Sequence, residues 1–380
     1  MKKVCFVTTV PATIDSFILE TAKYIHNETD WDISFICDED VDFSNRLPEY
    51  IHYFPVQMKR GISLSGASAL CKMVSIFKKE KFDMVQYSTP NASLYAAVAA
   101  KIAKIPVRLY CQWGLVYVGF SGIKRKIFKI IEKIVCGLST WIEPDSFGNL
   151  DFAHKEGLYP QNKGSVVWNG SASGVNLEKF DISQKKEWNE EIRKKYNLPE
   201  DAFVFIFIGR ITGDKGINEL FSAFRDVAEQ TNNTYLLLVG NSEKTDSVDA
   251  ELYNWAKNSD NVIFCGRTNM VEKYLAASDC YVLPSYREGF GLAVIEAEAM
   301  GVPVIVTDIP GPTDAMLNNK TGIAVTKKDI ISLKTAMLKL YNDPSLCEEF
   351  GNNGNEYVSE KFEQQTLFKH ILEDRKELMG

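Results

Sequence analysis

The sequence is poor in the residues that hold metals and in the spacings that close disulfide frameworks. Its four histidines, His26, His52, His154 and His370, are scattered, and none of its eight cysteines forms a C-x-x-C pair. A structural zinc site needs closely spaced Cys and His ligands, so no metal site is expected. Cys5, Cys37, Cys71, Cys111, Cys136, Cys265, Cys280 and Cys347 stand singly, several in apolar, strand-like runs. They read as buried thiols in a reducing compartment. No stretch approaches the roughly 18 apolar residues of a membrane span. The start MKKVCFVTTV carries two lysines, but its apolar run stops without a small-residue cleavage site, so a first β-strand is expected there rather than a signal peptide. No strand-like run is followed by G-x-G-x-x-G, which sets aside a dinucleotide-dependent oxidoreductase. No repeat of solenoid period is present. A cytoplasmic chain is expected.

Hydrophobic residues fill 45% of the 380 positions and charged residues 24%. Domains run to roughly 100–200 residues, so two cores are expected. The net charge of −7 argues against bulk nucleic-acid binding, but it is uneven. Residues 1–180 carry 21 Lys and Arg against 18 Asp and Glu, a balance of +3; the remaining 200 carry 22 against 32, a balance of −10.

Strand-like and helix-like runs alternate in both halves. Lys3–Thr9, Asp32–Cys37, Ile51–Phe54, Met84–Tyr87 and Val107–Cys111 read as strands, with helices near Ile14–His26, Ser68–Lys79 and Ser93–Ala103. Lys163–Phe180 lacks apolar periodicity and reads as a junction, followed by a charged, exposed helix over Asp181–Asn197. A second series starts at Phe203–Gly209, a continuous apolar run suited to a strand buried on both faces. Strands at Tyr235–Val239, Val262–Cys265, Cys280–Leu283 and Val304–Val306 follow, alternating with helices at Asn218–Glu229, Asp249–Asn258, Val271–Ala277 and Leu292–Met300. The tail from Leu333 is helical, broken near Asp343–Pro344. Such alternation implies parallel sheets covered on both faces, with ligands at the C-terminal ends of the strands.

Three segments stand at such ends. GRITGDKGINEL (Gly209–Leu220) delivers Arg210 and Lys215 on a glycine-bearing turn. A planar guanidinium and a point-charge ammonium together suit a diphosphate; a solvated loop with two surface cations is the other reading. SYREGFGLAVIEAEAMGVPVI (Ser285–Ile305) sets Glu288 before a helix and Glu296 eight residues later within it. Helix N-termini favour phosphate, and a carboxylate accepts two hydroxyl hydrogen bonds, as a vicinal diol requires. Glu298 reads as solvent-facing. The third segment, Phe264–Met270, offers Gly266 and Arg267 to a base edge, or is a surface loop.

Together Gly209–Gly216, Gly266–Arg267 and Pro284–Gly301, running on into PVIVTDIPGPTDAM, resemble the retaining glycosyltransferases of family 4. EGFGLAVIE matches the Glu-x7-Glu motif of that family, and GSASGVNLEKF resembles its interdomain junction. The resemblance implies the GT-B fold, two Rossmann-like doubly wound parallel-sheet domains facing across a cleft. It places an acceptor-binding domain over 1–175, a nucleotide-sugar donor domain over 176–360, and a final helix over 361–380 packed back on the first. It implies that Arg210 and Lys215 hold the donor diphosphate and stabilise the leaving group while Glu288 contacts the transferred sugar, making these three the candidate catalytic residues. Gly209, Gly266, Arg267, Gly289, Phe290, Gly291, Leu292 and Glu296 are the implied donor contacts, those of 289–292 through backbone amides and Glu296 through the ribose. The nucleotide-sugar is a co-substrate, and neither cofactor nor metal is required. The acidic pairs Asp30/Asp32 and Asp38/Asp40 are taken as surface residues.

Two departures from the family stand out. Thr8-Thr9-Val10-Pro11-Ala12 replaces a Gly-Gly loop, and Cys111-Gln112-Trp113-Gly114 replaces a His-Gly. Gln112 and Trp113 are therefore acceptor-site candidates, with a buried strand end as the alternative. The missing histidine fits a front-face retaining reaction, in which the leaving phosphate accepts the acceptor proton. Between Lys101 and Lys133 stand eight cations and one acid, Glu132. Over 122–137 the cations alternate with isoleucines, as on a basic amphipathic helix. Such a helix lies on an anionic membrane or tucks its apolar face into the core. Family resemblance extends this to transfer of a hexose or N-acetylhexosamine, from a UDP-sugar by preference, to a polyprenyl-diphosphate-linked glycan of capsule, O-antigen or exopolysaccharide at the inner face of the plasma membrane. A sugar-nucleotide epimerase, a phosphorylase and a non-catalytic sugar-binding protein are the competing readings.

Overall fold

The computed structural model describes residues 1–58, 65–242 and 247–380. The chain divides into two compact units, Met1–Ser173 with Gln365–Gly380, and Gly174–Gln364.

In the first unit, β1 (Lys3–Val7), β2 (Asp32–Cys37), β3 (Ile51–Pro55), β4 (Met84–Tyr87), β5 (Val107–Gln112) and β6 (Trp141–Pro144) form a parallel sheet in the order β3-β2-β1-β4-β5-β6. The order reverses between β1 and β4, which marks the crevice at their C-terminal ends. Side chains alternate between the faces. Cys5, Val7, Val85 and Tyr87 face α4 (Ser65–Glu80), α5 (Pro90–Ile102) and α6 (Gly122–Leu138). Val4, Phe6, Phe35 and Met84 face α1 (Pro11–Phe17), α2 (Leu19–Glu28), α3 (Val41–Arg46) and the last helix of the chain. A further helix, α7 (Phe147–Lys155), follows β6. The single helix expected over Ile14–His26 is two, broken at Ile18, whose ψ of −38° comes with a φ of −124°. Neither β6 nor α3 nor α7 was expected.

In the second unit, β7 (Phe203–Ile208), β8 (Thr234–Val239), β9 (Val262–Gly266), β10 (Cys280–Leu283), β11 (Val304–Thr307) and β12 (Gly322–Val325) form a parallel sheet in the order β12-β11-β10-β7-β8-β9. Its crevice lies between β7 and β10. The run Val204–Phe207 is wholly buried, each large side chain contributing about 1.5–3 kcal/mol of transfer free energy. The helices are α8 (Lys185–Lys195), α9 (Ile217–Gln230), α10 (Ala250–Asn258), α11 (Val271–Ala276), α12 (Leu292–Ala299), α13 (Ile330–Asn342) and α14 (Pro344–Lys361).

The last helix, α15 (Gln364–Met379), belongs with the first unit. Leu367, Phe368 and Ile371 pack with Val167, and His370 stacks on Trp168 at 5.3 Å. Arg375 is buried and grips Glu143 of β6 through both terminal nitrogens, with Nη2 at 2.8 Å from Oε1, while its Nε donates to Gln86 at 3.1 Å. Burial opposes the charge on Arg375, but the Glu143 carboxylate more than offsets it, and the pKa ends up raised. Of the eight thiols, Cys5, Cys37, Cys111, Cys136 and Cys280 are buried, whereas Cys71 is exposed on α4, against expectation.

Candidate active site

The loops after β7, β10 and β11 meet at the switch point of the second unit by close backbone approach. Gly216 has φ +73°, and a Cβ there would sit 2.0 Å from the Pro284 carbonyl oxygen; one on Gly311, φ +99°, would sit 2.0 Å from that of Gly289. Only glycine fits either place. This packing brings Lys215, at the end of a 3-10 turn (Gly213–Lys215), across to Glu288, with Nζ 2.5 Å from Oε1.

Asp214 ties the loops together. Its carbonyl accepts from the Tyr286 amide at 2.9 Å, and its carboxylate accepts from the Thr212 hydroxyl at 2.6 Å and from Arg287 at 3.0 Å. Arg210 lies 3.9 Å from the same carboxylate. Burial pushes the Asp214 carboxyl up, but the Thr212 hydroxyl and the cations Arg287, Arg210 and Lys215 outweigh it, so it is held below its ordinary value. Asp214, Thr212, Arg287 and Tyr286 were not singled out from sequence; an acid lying between two cations in GRITGDKG was the available signal.

Helix α12 starts at Gly291 with no side-chain cap, so its first amides point toward the loops. The Phe290 ring turns into the core against Phe362, at 5.2 Å, leaving its backbone as the part open to a ligand. Glu296 is half-buried. Desolvation, offset in part by Lys179 and reinforced by Glu272, pushes its carboxyl up to about 7. Between the ordinary carboxylate range and about 7 the folded chain therefore binds the extra proton, and stability falls as pH rises through that window. Glu298 corrects the sequence reading: it is fully buried, not solvent-facing, and burial holds its carboxyl well above the ordinary range. Gly266 ends β9 and Arg267 follows it, both exposed and separated from β7 by β8. The structure thus brings Arg210, Lys215, Glu288 and the 289–292 backbone to one point, and places Arg267 two strands away.

In the first unit, Gln112 is completely buried. Its amide donates to Glu132 at 2.6 Å and accepts from the Tyr159 hydroxyl at 3.3 Å. Its side chain is occupied inside the fold, which corrects its placement as an acceptor contact. Trp113 stays partly exposed, its ring 5.4 Å from that of Phe17. At the switch point Thr9 and Thr89 join hydroxyl to hydroxyl at 2.8 Å. Thr89 holds φ +68°, a strained state for a β-branched residue, and this pair was not expected. Asp38 and Asp40 hold backbone: Asp38 accepts from the Met58 amide and Asp40 caps α3 through Phe43 at 2.8 Å. Among the described residues, no group of three or more His, Cys, Asp or Glu is placed to hold a metal ion.

Helix α6 is apolar on two opposite sides. Phe128, Ile131 and Val135 face inward, while Ile123, Ile127, Ile130 and Ile134 are 77, 47, 58 and 46% exposed. Their spacing of four, three and four residues is one helix face, flanked by exposed Lys124, Lys126 and Lys133. No helix among the described residues is long and apolar enough to cross a membrane.

Residues 189–357 match the family Glycosyl transferases group 1, and residues 3–142 match Glycosyl transferase 4-like. The sequence is 33% identical over 342 residues, 90% of this chain and 88% of the relative, to the capsular polysaccharide biosynthesis glycosyltransferase CapM of Staphylococcus aureus. It is 27% identical over 349 residues, again 90% and 88%, to the UDP-Gal:alpha-D-GlcNAc-diphosphoundecaprenol alpha-1,3-galactosyltransferase of Escherichia coli. Among solved structures, Anabaena HepE in complex with UDP-glucose superposes with a TM-score of 0.81 at 17% identity, covering 99% of this chain and 100% of that one.

Proposed function

This chain belongs to the GT-B glycosyltransferases of the bacterial surface-polysaccharide type, and we propose that it moves a hexose or N-acetylhexosamine, with retention, from a UDP-sugar to a polyprenyl-diphosphate-linked glycan. The observation that carries the reading is the Lys215–Glu288 pair, 2.5 Å apart, beside Arg210. A diphosphate entering there meets two cations and the amides of Gly289–Leu292, while the Glu288 carboxylate accepts from a hydroxyl of the sugar. In the proposed step the bond from the sugar C1 to the diphosphate oxygen breaks. The acceptor oxygen bonds C1 on the same face, and its proton passes to the departing diphosphate. Charge compensation falls to Arg210 and Lys215, without a metal. The choice of UDP draws on the E. coli relative, whose name specifies UDP-Gal, and on the UDP-glucose complex of HepE. The lipid diphosphate draws on the acceptor in the same E. coli name.

Thermal denaturation against UDP-, GDP-, ADP- and dTDP-sugars tests the donor half. At one hundred times its Kd, one nucleotide-sugar is expected to stabilise by about 2.7 kcal/mol. Silence across the panel would sink the reading. The anomeric configuration of the product, read by NMR, decides retention.

Glu296 makes donor binding pH-dependent. Its carboxyl titrates at about 7, and an ionised acceptor makes stronger hydrogen bonds to ribose hydroxyls than a neutral one. Donor Kd is expected to rise about fivefold from about pH 8 to about pH 6 and to stay flat in Glu296→Gln. A flat wild-type profile would remove Glu296 from the ribose.

The outward isoleucines of α6, framed by lysines, are the feature of a helix lying in an anionic membrane surface. We place the enzyme at the inner face of the plasma membrane by this helix. The chain should float with phosphatidylglycerol vesicles and stay behind with neutral ones. Ile127→Glu with Ile130→Glu should reduce flotation at least tenfold, each buried aliphatic chain contributing about 1.5 kcal/mol or more. Failure to bind anionic vesicles would overturn this placement.

A further inference from the structure

Three cations converge on the loops after β7 and β10, and the proposed transfer uses two of them. Arg210 stands 3.9 Å from Asp214, and Lys215 stands 2.5 Å from Glu288. Formally these four side chains sum to no net charge, so by themselves they do not make a cationic site for an arriving diphosphate. Arg287 supplies the surplus. It lies on the loop after β10, immediately before Glu288. Its Nη2 is 3.0 Å from Oδ2 of Asp214, the same oxygen that Arg210 approaches. Two guanidinium groups thus share one carboxylate oxygen, and like charges set so close together favour the arrival of a further anion.

A plain clamp between the loops is the alternative role for Arg287, but Asp214 is already tied without it. The Asp214 carbonyl accepts from the Tyr286 amide at 2.9 Å and from the Ser285 hydroxyl at 3.3 Å, and its carboxylate accepts from Thr212 at 2.6 Å. The Ser285 hydroxyl also reaches the Arg287 carbonyl at 3.1 Å, which fixes the backbone of the arginine. The guanidinium is left with capacity to bind. It carries five N–H donors, and among the described residues its hydrogen bond is the single one to Asp214. The side chain is 32% exposed, so a ligand reaches it from solvent without breaking that pair.

We propose that Arg287, held in place by Asp214, is a third cation for the donor diphosphate and the one that gives the site its net positive charge. It strengthens the preference of the site for nucleoside diphosphates over nucleoside monophosphates. The assignment rests on the reading of this crevice as the nucleotide-sugar site.

Calorimetry on the full chain, with UDP, UMP and inorganic pyrophosphate as probes, tests it. The wild type should bind UDP more tightly than UMP. Arg287→Met keeps the length of the side chain and removes its charge. It should weaken UDP and pyrophosphate about tenfold, and UMP less than about threefold. The melting curve without ligand reports that the variant is folded. If Arg287→Met does not fold, Arg287→Lys carries the same test: a point charge in place of the fork should weaken UDP about threefold and leave UMP unchanged. Equal losses of UDP and UMP in a folded variant, or no loss of either, would make Arg287 a clamp between loops and overturn the proposal. A loss for pyrophosphate with none for UDP would set Arg287 against a phosphate other than that of the donor, and would also overturn it. A wild type that binds neither UDP nor pyrophosphate would overturn the donor-site reading itself, and this assignment with it.

Discussion

Lys215→Ala is expected to lower kcat by about two to three orders of magnitude, the usual loss when one donor to a developing anion is removed from a preorganised site. The variant should still fold. The turn that carries Lys215 is held by Asp214, through Tyr286, Thr212 and Arg287, and none of these bonds involves the lysine side chain. Two effects add. The ammonium no longer meets the departing diphosphate, and Glu288, 2.5 Å from it in the wild type, keeps its negative charge without that cation beside it where a second anion must arrive. The double variant Lys215→Ala with Glu288→Gln separates them. Removing the Glu288 charge should restore donor affinity measured by calorimetry, while kcat stays low. Lys215→Arg should recover little, because a planar fork does not replace a point charge on a shorter reach. A loss of less than about threefold in kcat for Lys215→Ala would take the lysine out of the leaving-group site.

These residues were legible because each announces itself locally. Six consecutive apolar residues at Phe203–Ile208, bounded by a glycine, suit a strand buried on both faces, so whatever follows is delivered to the ligand edge. Glu288 and Glu296 flank a helix start with glycines beside them. What escaped depended on distant partners. Trp141–Pro144 is four residues long with a glutamate in it, and it becomes a strand because Arg375, 232 positions later, neutralises that glutamate. Gly322–Val325 is as short and shows itself only by pairing with β11. Glu298 lies one helical turn past Ile295 and was assigned to solvent on its charge, but Gly354 of α14 leaves room for it inside; a Cβ at Gly354 would come within 3.1 Å of its side chain. Gln112 sits where a ligand contact was expected, yet Glu132 and Tyr159 claim both ends of its amide. Conversely, the isoleucines of α6 alternate with lysines in a way that fits a buried stripe equally well, and only the packing of Phe128 and Val135 shows that a second apolar face is left over.

The Arg375–Glu143 pair carries the second large effect. Both groups are buried, and removing one member of such a pair strands the other charge, at a cost of about 3–5 kcal/mol. Arg375→Met is therefore expected to destabilise the first unit by that amount. The loss should fall unevenly. Within α15, Leu367, Phe368 and Ile371 have an apolar patch of their own, so the N-terminal half of the helix should stay docked while the end beyond Leu372 frays. Amide hydrogen exchange resolves this, whereas a single denaturation midpoint averages over two units. Protection over β7–β11 should be unchanged. Pairing Arg375→Met with Glu143→Leu should recover most of the stability, since apolar groups of similar volume replace buried ion pairs at little cost. Gln86, which accepts from Arg375 Nε at 3.1 Å, and the Asp374 carboxylate, which accepts from Arg375 Nη1, then lose that donor and set the residual deficit, about 1–3 kcal/mol for a buried amide oxygen. If the double variant is no more stable than Arg375→Met alone, the pair is not what holds the helix, and the aromatic stack of His370 on Trp168 becomes the next contact to remove.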